Sequence, residues 1–171
     1  MRILIYGFKP YGSYTENISE KLLARLSRRE GLVKHVFDVR FDAAMFNTVL
    51  ARVKPEYVLG LGQHPRAHKL RIERRARNQR IKPDRSLIPI SRTGPSSVFA
   101  SLSLPSSAQT TLTYNAGTYV CNYSMYMTAR YCRRTGARFG FIHIPKDHDL
   151  KKLSAYLQTV LAWIEQQRIQ D

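Results

Sequence analysis

The chain has 171 residues, a length that fits one domain with its own hydrophobic core. Apolar residues make up 43% of it, which excludes a disordered tail, and no apolar run is long enough to span a membrane as a helix. Lys and Arg outnumber Asp and Glu by 28 to 12, and the resulting charge of +16 favours anionic partners, including nucleic acid. Two cysteines without a zinc-type spacing indicate a cytoplasmic protein with reduced thiols.

Strands and helices alternate in the first third of the chain. The helices are indicated by apolar residues at helical spacing, and the strands by short apolar runs. Asp42 is a plausible N-cap for the second helix, and Pro55 lies just beyond its end. The predicted elements are a strand at 2–8, a helix at 17–28, a strand at 33–41, a helix at 42–53 and a strand at 56–62.

The middle of the chain, 64–114, contains five prolines and short strand-like pieces, so we expect a hairpin or loop excursion there. Regular patterns return as a helix at 120–134, a strand at 137–145 and a helix at 148–167. Alternating strands and helices predict an α/β domain over 1–171, with a mostly parallel twisted sheet and helices on both faces. Functional sites of such folds lie at the carboxyl ends of the strands.

Three residues are candidates for chemistry. Cys121 begins a predicted helix after the turn at 115–118, and helix-start N–H groups favour thiolate over thiol. His143, near the end of a predicted strand, would take the thiol proton and return it to a leaving amine. Glu73, the only carboxylate between Tyr57 and Pro83, would hold the imidazole in one tautomer.

Each candidate also has a structural interpretation. A lone cysteine on a helix is more often part of the core, and a lone histidine at a strand end is more often a hydrogen-bonded structural residue. Glu73 has Arg74, Arg75 and Arg77 beside it as ion-pair partners. Spacing alone therefore leaves open whether the three residues form a site. Cys132 is interpreted as structural.

Several segments resemble, in the same order, those of pyroglutamyl peptidase I (pyrrolidone-carboxylate peptidase, the C15 cysteine peptidases). The most specific is NAGTYVCNYSMY, which resembles the cysteine motif of that family. The likeness runs from residue 3 to about residue 165. It implies a three-layer α/β/α sandwich of the phosphorylase/hydrolase-like kind. The other matching segments are GFKPYG at 7–12 followed by Asn17, LGLGQ at 59–63, IERRARN at 72–78, TGP at 93–95 and GFIHIP at 140–145.

The resemblance implies roles for individual residues. Cys121 would be the nucleophile, His143 the general base and acid, and Glu73 the orienting carboxylate. Arg80 would help to stabilise the oxyanion, together with backbone N–H groups near the cysteine. The residues implied for the pocket of the pyrrolidone ring are Phe8, Tyr11, Asn17, Gln63, Tyr119 and Val120.

The implied function is that of an omega peptidase, which removes N-terminal pyroglutamate from peptides through a thioester intermediate and without a metal or cofactor. Its substrates would be pyroglutamyl peptides. Family members often form dimers or tetramers, so the resemblance leaves assembly into a homo-oligomer open. Mutual repulsion at a net charge of +16 opposes close assembly. No membrane partner is expected.

The chain departs from the family pattern at several positions. Tyr11 stands where Phe is usual, Ile18 where Pro is usual and Asn115 where Thr is usual, and 64–69 replaces a small, Gly-rich stretch. The segment between Glu73 and Arg80 is also shorter than in the family. Two alternatives therefore stay open: a divergent hydrolase of another cyclic amide, and a catalytically altered protein whose basic surface binds acidic partners. Net charge alone also leaves non-specific anion or nucleic-acid binding open.

Overall fold

A computed structural model describes residues 1–167, and strands and helices alternate along them. Strands and helices are numbered separately in chain order. The elements are β1 (Ile3–Phe8), α1 (Ile18–Arg25), β2 (Leu32–Phe37), α2 (Ala43–Val53), β3 (Tyr57–His64), β4 (Leu70–Glu73), β5 (Arg75–Arg77), β6 (Arg80–Ile81), β7 (Leu87–Ile88), β8 (Ser97–Phe99), β9 (Thr110–Thr113), α3 (Val120–Thr135), β10 (Arg138–Pro145) and α4 (Leu150–Gln167).

The central sheet has six strands in the order β2-β1-β3-β10-β4-β9. All neighbouring pairs are parallel except β10 with β4. The strands β1 and β10 are buried along almost their whole length, as expected for strands covered on both sides. The sheet is therefore mostly parallel, as the sequence predicted.

Helices cover both faces of this sheet. Successive strand residues point to opposite faces, so Leu4 and Tyr6 pack in one apolar cluster while Ile3 and Ile5 pack in another. The first cluster contains the buried faces of α2 and α3, and the second contains those of α1 and α4. The result is a three-layer α/β/α arrangement with a core on each side of the sheet.

Side-chain caps determine where the first two helices begin. The Asn17 carboxamide oxygen accepts from the N–H of Ser19, and the Asp42 carboxylate accepts from the N–H of Met45. In α3 the N-cap residue, Tyr119, makes no side-chain capping bond. The N–H groups of the first turn of α3 therefore have no side-chain cap, and this is the turn that carries Cys121.

The segment 64–114 is more ordered than the sequence indicated. Within it, β4 and β9 join the central sheet, and β6 and β7 form the only element that resembles the expected hairpin. The remaining pair, β5 with β8, forms a second small sheet. These strands are two to four residues long, too short for a periodic pattern to be visible in the sequence.

The other element boundaries differ from the predictions by a few residues. The helix predicted to reach 28 ends at Arg25, and the strand predicted to reach 41 ends at Phe37. The last helix begins at Leu150 rather than at 148, because Asp149 accepts from the N–H of Lys152 at 2.8 Å as a capping residue does. No helix within the described residues combines the length and the apolar character needed to cross a bilayer.

Candidate active site

His143 lies on β10 between two other strands of the central sheet. Across the parallel pair it is opposite Gly62 of β3, and across the antiparallel pair it is opposite Arg71 of β4. Residues two apart on a strand share a face, so Glu73 projects to the same side as Arg71. The Nδ1 atom of His143 is 2.8 Å from Oε1 of Glu73.

The Glu73 carboxylate is fully buried and surrounded by donors. Oε1 accepts from His143 Nδ1 and from Arg71 Nε at 3.1 Å, and Oε2 accepts from the Thr113 hydroxyl. Burial raises the pKa of this carboxyl, but the contacts with His143, Thr113 and Arg71 outweigh burial, and the pKa is lowered. An ionised Glu73 accepts only, so the Nδ1 atom of His143 carries a proton and its Nε2 atom is left to face Cys121.

Cys121 and His143 converge above Gly62. A methyl group added to Gly62 would lie 2.7 Å from Cys121 Sγ and 3.1 Å from His143 Cδ2, so only a residue without Cβ fits. Burial alone would lower the pKa of His143. The charge of Cys121, a hydrogen bond to it and the pairing with Glu73 instead raise that pKa to about 9. The imidazole beside Cys121 is therefore protonated at neutral pH.

Buried polar side chains hold the start of α3 in place. The Asn122 amide donates to the carbonyls of Arg77 and Gln79, and its oxygen accepts from the N–H of Arg77 at 2.9 Å. The Ser124 hydroxyl donates to the Cys121 carbonyl at 2.9 Å. Together these bonds fix the turn that carries Cys121 relative to residues 77–79 and leave the N–H groups of that turn available to a negatively charged ligand group.

Several residues predicted to bind the pyrrolidone ring lie near Cys121. Burial raises the pKa of the Tyr11 phenol to about 12, and the nearby Cys121, Tyr14 and Tyr119 add to that effect, whereas the Gln63 amide opposes it. Tyr119 is exposed and Val120 is buried. The structure thus brings Tyr11, Gln63 and Tyr119 to the same end of the sheet as the cysteine.

The side-chain amide of Gln63 is only half engaged in hydrogen bonds. Its oxygen accepts from the N–H of Ile18 at 3.0 Å, which ties β3 to the start of α1. Its nitrogen is buried and has no hydrogen-bond partner within the described part of the chain. A buried N–H donor without a partner is costly, so this group suits a ligand carbonyl.

Phe8 and Asn17 are more deeply placed than pocket-lining residues usually are. The Phe8 ring lies in the core, edge-on to Tyr6 with ring centres 5.8 Å apart. The Asn17 oxygen accepts from both the N–H and the hydroxyl of Ser19, and its nitrogen donates to the Lys9 carbonyl at 3.1 Å. Asn17 thus shapes the loop that carries Tyr11.

Arg80 lies beside an aromatic ring. Its guanidinium carbon is 5.1 Å from the centre of the Phe41 ring, a cation–π arrangement. The strand that carries Arg80 is connected to the cysteine segment, because the N–H of Ile81 donates to the Thr118 carbonyl at 3.0 Å. The structure therefore brings Arg80 near the segment that precedes Cys121, with its charge directed at Phe41.

A cavity of about 310 Å³ lies beside the site rather than on it. Gln63 is the one predicted site residue in its wall, which also includes Tyr14, Lys21, Lys146 and His148. Among residues 1–167 no group of three or more His, Cys, Asp or Glu side chains could hold a metal ion.

Sequence reasoning missed several residues that shape the site. Thr113 and Arg71 hold Glu73, Asn122 holds the cysteine turn, and Gly62 gives room to the sulfur. Asn122 was detectable, because an amide directly after the candidate nucleophile is a polar residue at a helix start. Arg71 and Thr113 gave no such signal, because one arginine among many and one threonine in an irregular segment do not stand out.

A cysteine at a helix start, facing a histidine that a buried carboxylate orients, on a mostly parallel α/β sheet, defines the class of cysteine hydrolases. A model of the pyroglutamyl peptidase family matches residues 1–151. The chain is 30% identical to a pyrrolidone-carboxylate peptidase of Thermococcus litoralis, over 86% of this chain and 78% of the relative. It is 31% identical to one of Erwinia tasmaniensis, over 84% and 78%.

The fold also resembles that of solved structures. The pyrrolidone carboxyl peptidase from Thermococcus litoralis superimposes with a TM-score of 0.79 at 24% identity, covering 97% of this chain and 96% of the other. The pyroglutamyl peptidase I from Bacillus amyloliquefaciens superimposes with a TM-score of 0.80 at 22% identity, covering 93% and 92%. The predicted fold class is confirmed. The chain belongs to the pyroglutamyl peptidase family, as its motifs indicated.

Proposed function

We propose that this protein removes N-terminal pyroglutamate from peptides with Cys121, His143 and Glu73 as its catalytic machinery. Membership of the pyroglutamyl peptidase family supports the hydrolase activity. The observation that most supports the residue roles is the arrangement itself: Nδ1 of His143 is 2.8 Å from Glu73, while the other edge of the ring meets Cys121 above Gly62.

In the proposed reaction the Cys121 thiolate attacks the carbonyl carbon of the pyroglutamyl residue, and the carbonyl oxygen becomes an oxyanion. The imidazolium of His143 gives its Nε2 proton to the peptide nitrogen, the C–N bond breaks, and the peptide leaves as an amine. The thioester that remains is attacked by water, whose proton passes to His143. The C–S bond then breaks, which releases pyroglutamate and restores the thiolate.

The orienting and stabilising groups have separate tasks. Glu73 keeps the proton on Nδ1 of His143 and stabilises the imidazolium. The uncapped N–H groups at the start of α3 stabilise the oxyanion. Arg80 contributes a positive charge near this turn, and its stacking on Phe41 makes the contribution secondary.

The pocket suits a flat, uncharged lactam. Tyr11 and Tyr119 would contact the faces of the ring, with Val120 and Phe8 as the apolar wall behind them. The free amide N–H of Gln63 would donate to the lactam carbonyl, and the Gln63 oxygen has a second lone pair for the lactam N–H. Asn17 would act by holding the loop that carries Tyr11.

We also propose a cytoplasmic location, because both cysteines are unpaired, as expected in a reducing compartment. Two partner predictions from the sequence, assembly into a homo-oligomer and non-specific binding of anions or nucleic acid, stay predictions. Pyroglutamyl peptides are the substrates that the family assignment supports.

The assignment is tested with a chromogenic pyroglutamyl amide. We expect wild-type protein to cleave it, iodoacetamide to stop cleavage, and Cys121→Ser to lower kcat/KM by at least about a thousandfold. The matched control is Cys132→Ala on the same helix, which should retain activity because Cys132 is buried away from the site. Activity that survives in Cys121→Ser would refute the role of Cys121. An inactive wild type whose Cys121 is rapidly alkylated would instead favour a hydrolase of another cyclic amide.

A further inference from the structure

Arg71 contacts three parts of the site at once. Its Nε donates to Glu73 Oε1 at 3.1 Å, and its Nη2 donates to the Asn115 carbonyl at 3.3 Å. Its Nη1 is 3.4 Å from Nε2 of His64, at the end of β3. The side chain is 27% exposed, whereas that of Glu73 is completely buried. One guanidinium therefore connects the carboxylate, a neighbouring histidine and the segment that precedes Cys121.

The charge of Arg71 matters most when His143 is neutral. During the proposed reaction His143 alternates between imidazolium and imidazole, so for part of the cycle it does not neutralise Glu73. A buried carboxylate without a positive partner tends to take up a proton. Arg71 is always charged and stays beside Oε1, which keeps Glu73 ionised throughout the cycle.

The other groups around His143 do not supply this charge. Thr113 of β9 contributes a neutral hydroxyl, and Cys121 of α3 contributes a thiol or thiolate. His64 of β3 faces Arg71, which has donors only, so Nε2 of His64 accepts and the ring is neutral. Burial lowers the pKa of His64, and the charges of His143 and Arg71 lower it further.

Arg71 also fixes the segment that leads to the nucleophile. The Asn115 carbonyl that it binds lies at the start of residues 115–119, which run into α3. Within this segment Asn115 accepts from the N–H of Gly117, whose φ of +81° is one that side chains disfavour. The segment has no strand pairing of its own, so its position relative to Glu73 depends on such tethers.

We propose that Arg71 is a positioning residue that keeps Glu73 ionised and holds the 115–119 segment at a set distance from the His143–Glu73 pair. The proposal rests on the function proposed above. It adds a residue outside the Cys-His-Glu set, one that binds the same carboxylate oxygen as His143. It also predicts separate effects for the charge and for the forked shape of the guanidinium.

The test compares Arg71→Met, which removes the charge, with Arg71→Lys, which keeps it. The control is Arg75→Met, because Arg75 donates to the Tyr114 carbonyl of the same connection at 3.0 Å and has no bond to Glu73. Three readouts are measured across pH: kcat and KM on the pyroglutamyl amide, the rate of Cys121 alkylation by iodoacetamide, and the ¹⁵N chemical shifts of His143.

Arg71→Met should lower kcat about 10- to 100-fold with KM changed by less than about threefold, as for other losses of an orienting partner. The acid limbs of activity and alkylation should move to higher pH, because Glu73 takes a proton more readily. Arg71→Lys should keep the wild-type pH profile but leave kcat several-fold below that of wild type. A single ammonium group cannot reproduce the forked set of N–H donors of the guanidinium. Arg75→Met should resemble wild type in all three readouts.

An Arg71→Met protein with wild-type kcat and an unchanged pH profile would overturn the proposal, as would equal effects of Arg71→Met and Arg75→Met. If Arg71→Met does not fold, Arg71→Lys still decides, because undiminished kcat in that variant contradicts the role of the fork. Alkylation and the ¹⁵N shifts need no substrate. A wild type that does not cleave the amide would therefore refute the proposed function while these two readouts still test Arg71.

Discussion

At the scale of single residues, the two cysteines of α3 differ because their surroundings differ. Cys132 lies in the core, where burial raises its pKa to about 12, so it stays a neutral thiol. Cys121, on the first turn of the same helix, is partly exposed and faces His143 above Gly62. A glycine at 62 is needed because the sulfur and the imidazole occupy the space that a side chain would take.

Gly62→Ala should therefore disable the site. The new methyl group would lie 2.7 Å from the Cys121 sulfur and 2.9 Å from Cζ of Phe141, so the thiol must move away from His143. We expect kcat/KM on a pyroglutamyl amide to fall at least about a hundredfold, since small displacements of reacting groups have effects of this size.

The control for Gly62 is Gly140→Ala, on the adjacent strand β10. Its methyl group would meet the Leu104 side chain at 3.1 Å, away from Cys121 and His143. This variant should unfold at lower temperature but keep its kcat. Comparable loss of activity in the two alanine variants would show that general destabilisation, and not the displaced sulfur, explains Gly62→Ala.

At the scale of elements, strand β4 and the start of α1 position several groups of the candidate site. Because Arg71 of β4 is paired directly with His143 of β10, both Arg71 and Glu73 lie on the face of the sheet that carries His143. The start of α1 is fixed by the Asn17 cap and by Gln63, which binds the N–H of Ile18. The cap of a helix thereby also holds the proposed substrate loop.

Asn17→Ala should affect both stability and substrate binding. Loss of the cap should lower the free energy of unfolding by about 1 kcal/mol. Loss of the bond to the Lys9 carbonyl should loosen the loop that carries Tyr11, so we expect KM to rise several-fold. Urea unfolding and steady-state kinetics measure the two effects.

Asp42→Ala is the matched comparison, because Asp42 caps α2 on the other face of the sheet. It should lose a similar amount of stability and leave KM unchanged. If Asn17→Ala also leaves KM unchanged, Asn17 is a capping residue only, and the family-based assignment of Asn17 to the substrate pocket is wrong for this chain.

At the scale of the whole molecule, the acidic residues are distributed unevenly. No Asp or Glu occurs between Asp84 and Asp147, so the segment that contains α3 and the whole of β10 carries positive charge only. Glu73 lies before this segment, and it is the only carboxylate between Tyr57 and Pro83, so it too is a buried negative charge in a basic stretch. Its pairing with His143 links the protonation of the site to the stability of the fold.

The free energy of unfolding should decrease at alkaline pH. The pKa of His143 is about 9 in the folded protein, against an ordinary value of about 6.5, so the protonated ring stabilises the fold. This contribution is complete below about pH 6.5 and is lost as pH rises through about 9. Urea unfolding between pH 6 and 10 should show the decrease, and His143→Gln should lack that step. An identical pH dependence in both proteins would contradict the raised pKa.

Much of the architecture was predictable because long elements carry periodic patterns. The helix predicted at 42–53 and the strand at 137–145 agree with α2 and β10 within about one residue at each end. The short strands of 64–114 were not predictable, because two to four residues carry no period and their pairing depends on distant partners. The prediction that 1–171 is a single domain stays a prediction, and its last four residues lie outside the described part of the chain.

The sequence by itself determined the family, the order of the main elements and the residue types available for catalysis, because these depend on local patterns and on colinear motifs. Only the tertiary structure decided that β4 runs antiparallel, that Gly62 makes room for the Cys121 sulfur, and that Arg71 shares the Glu73 carboxylate with His143. These features arise between residues up to about 70 positions apart in the chain. Their contacts are set by how strands pair and pack, which no local pattern encodes.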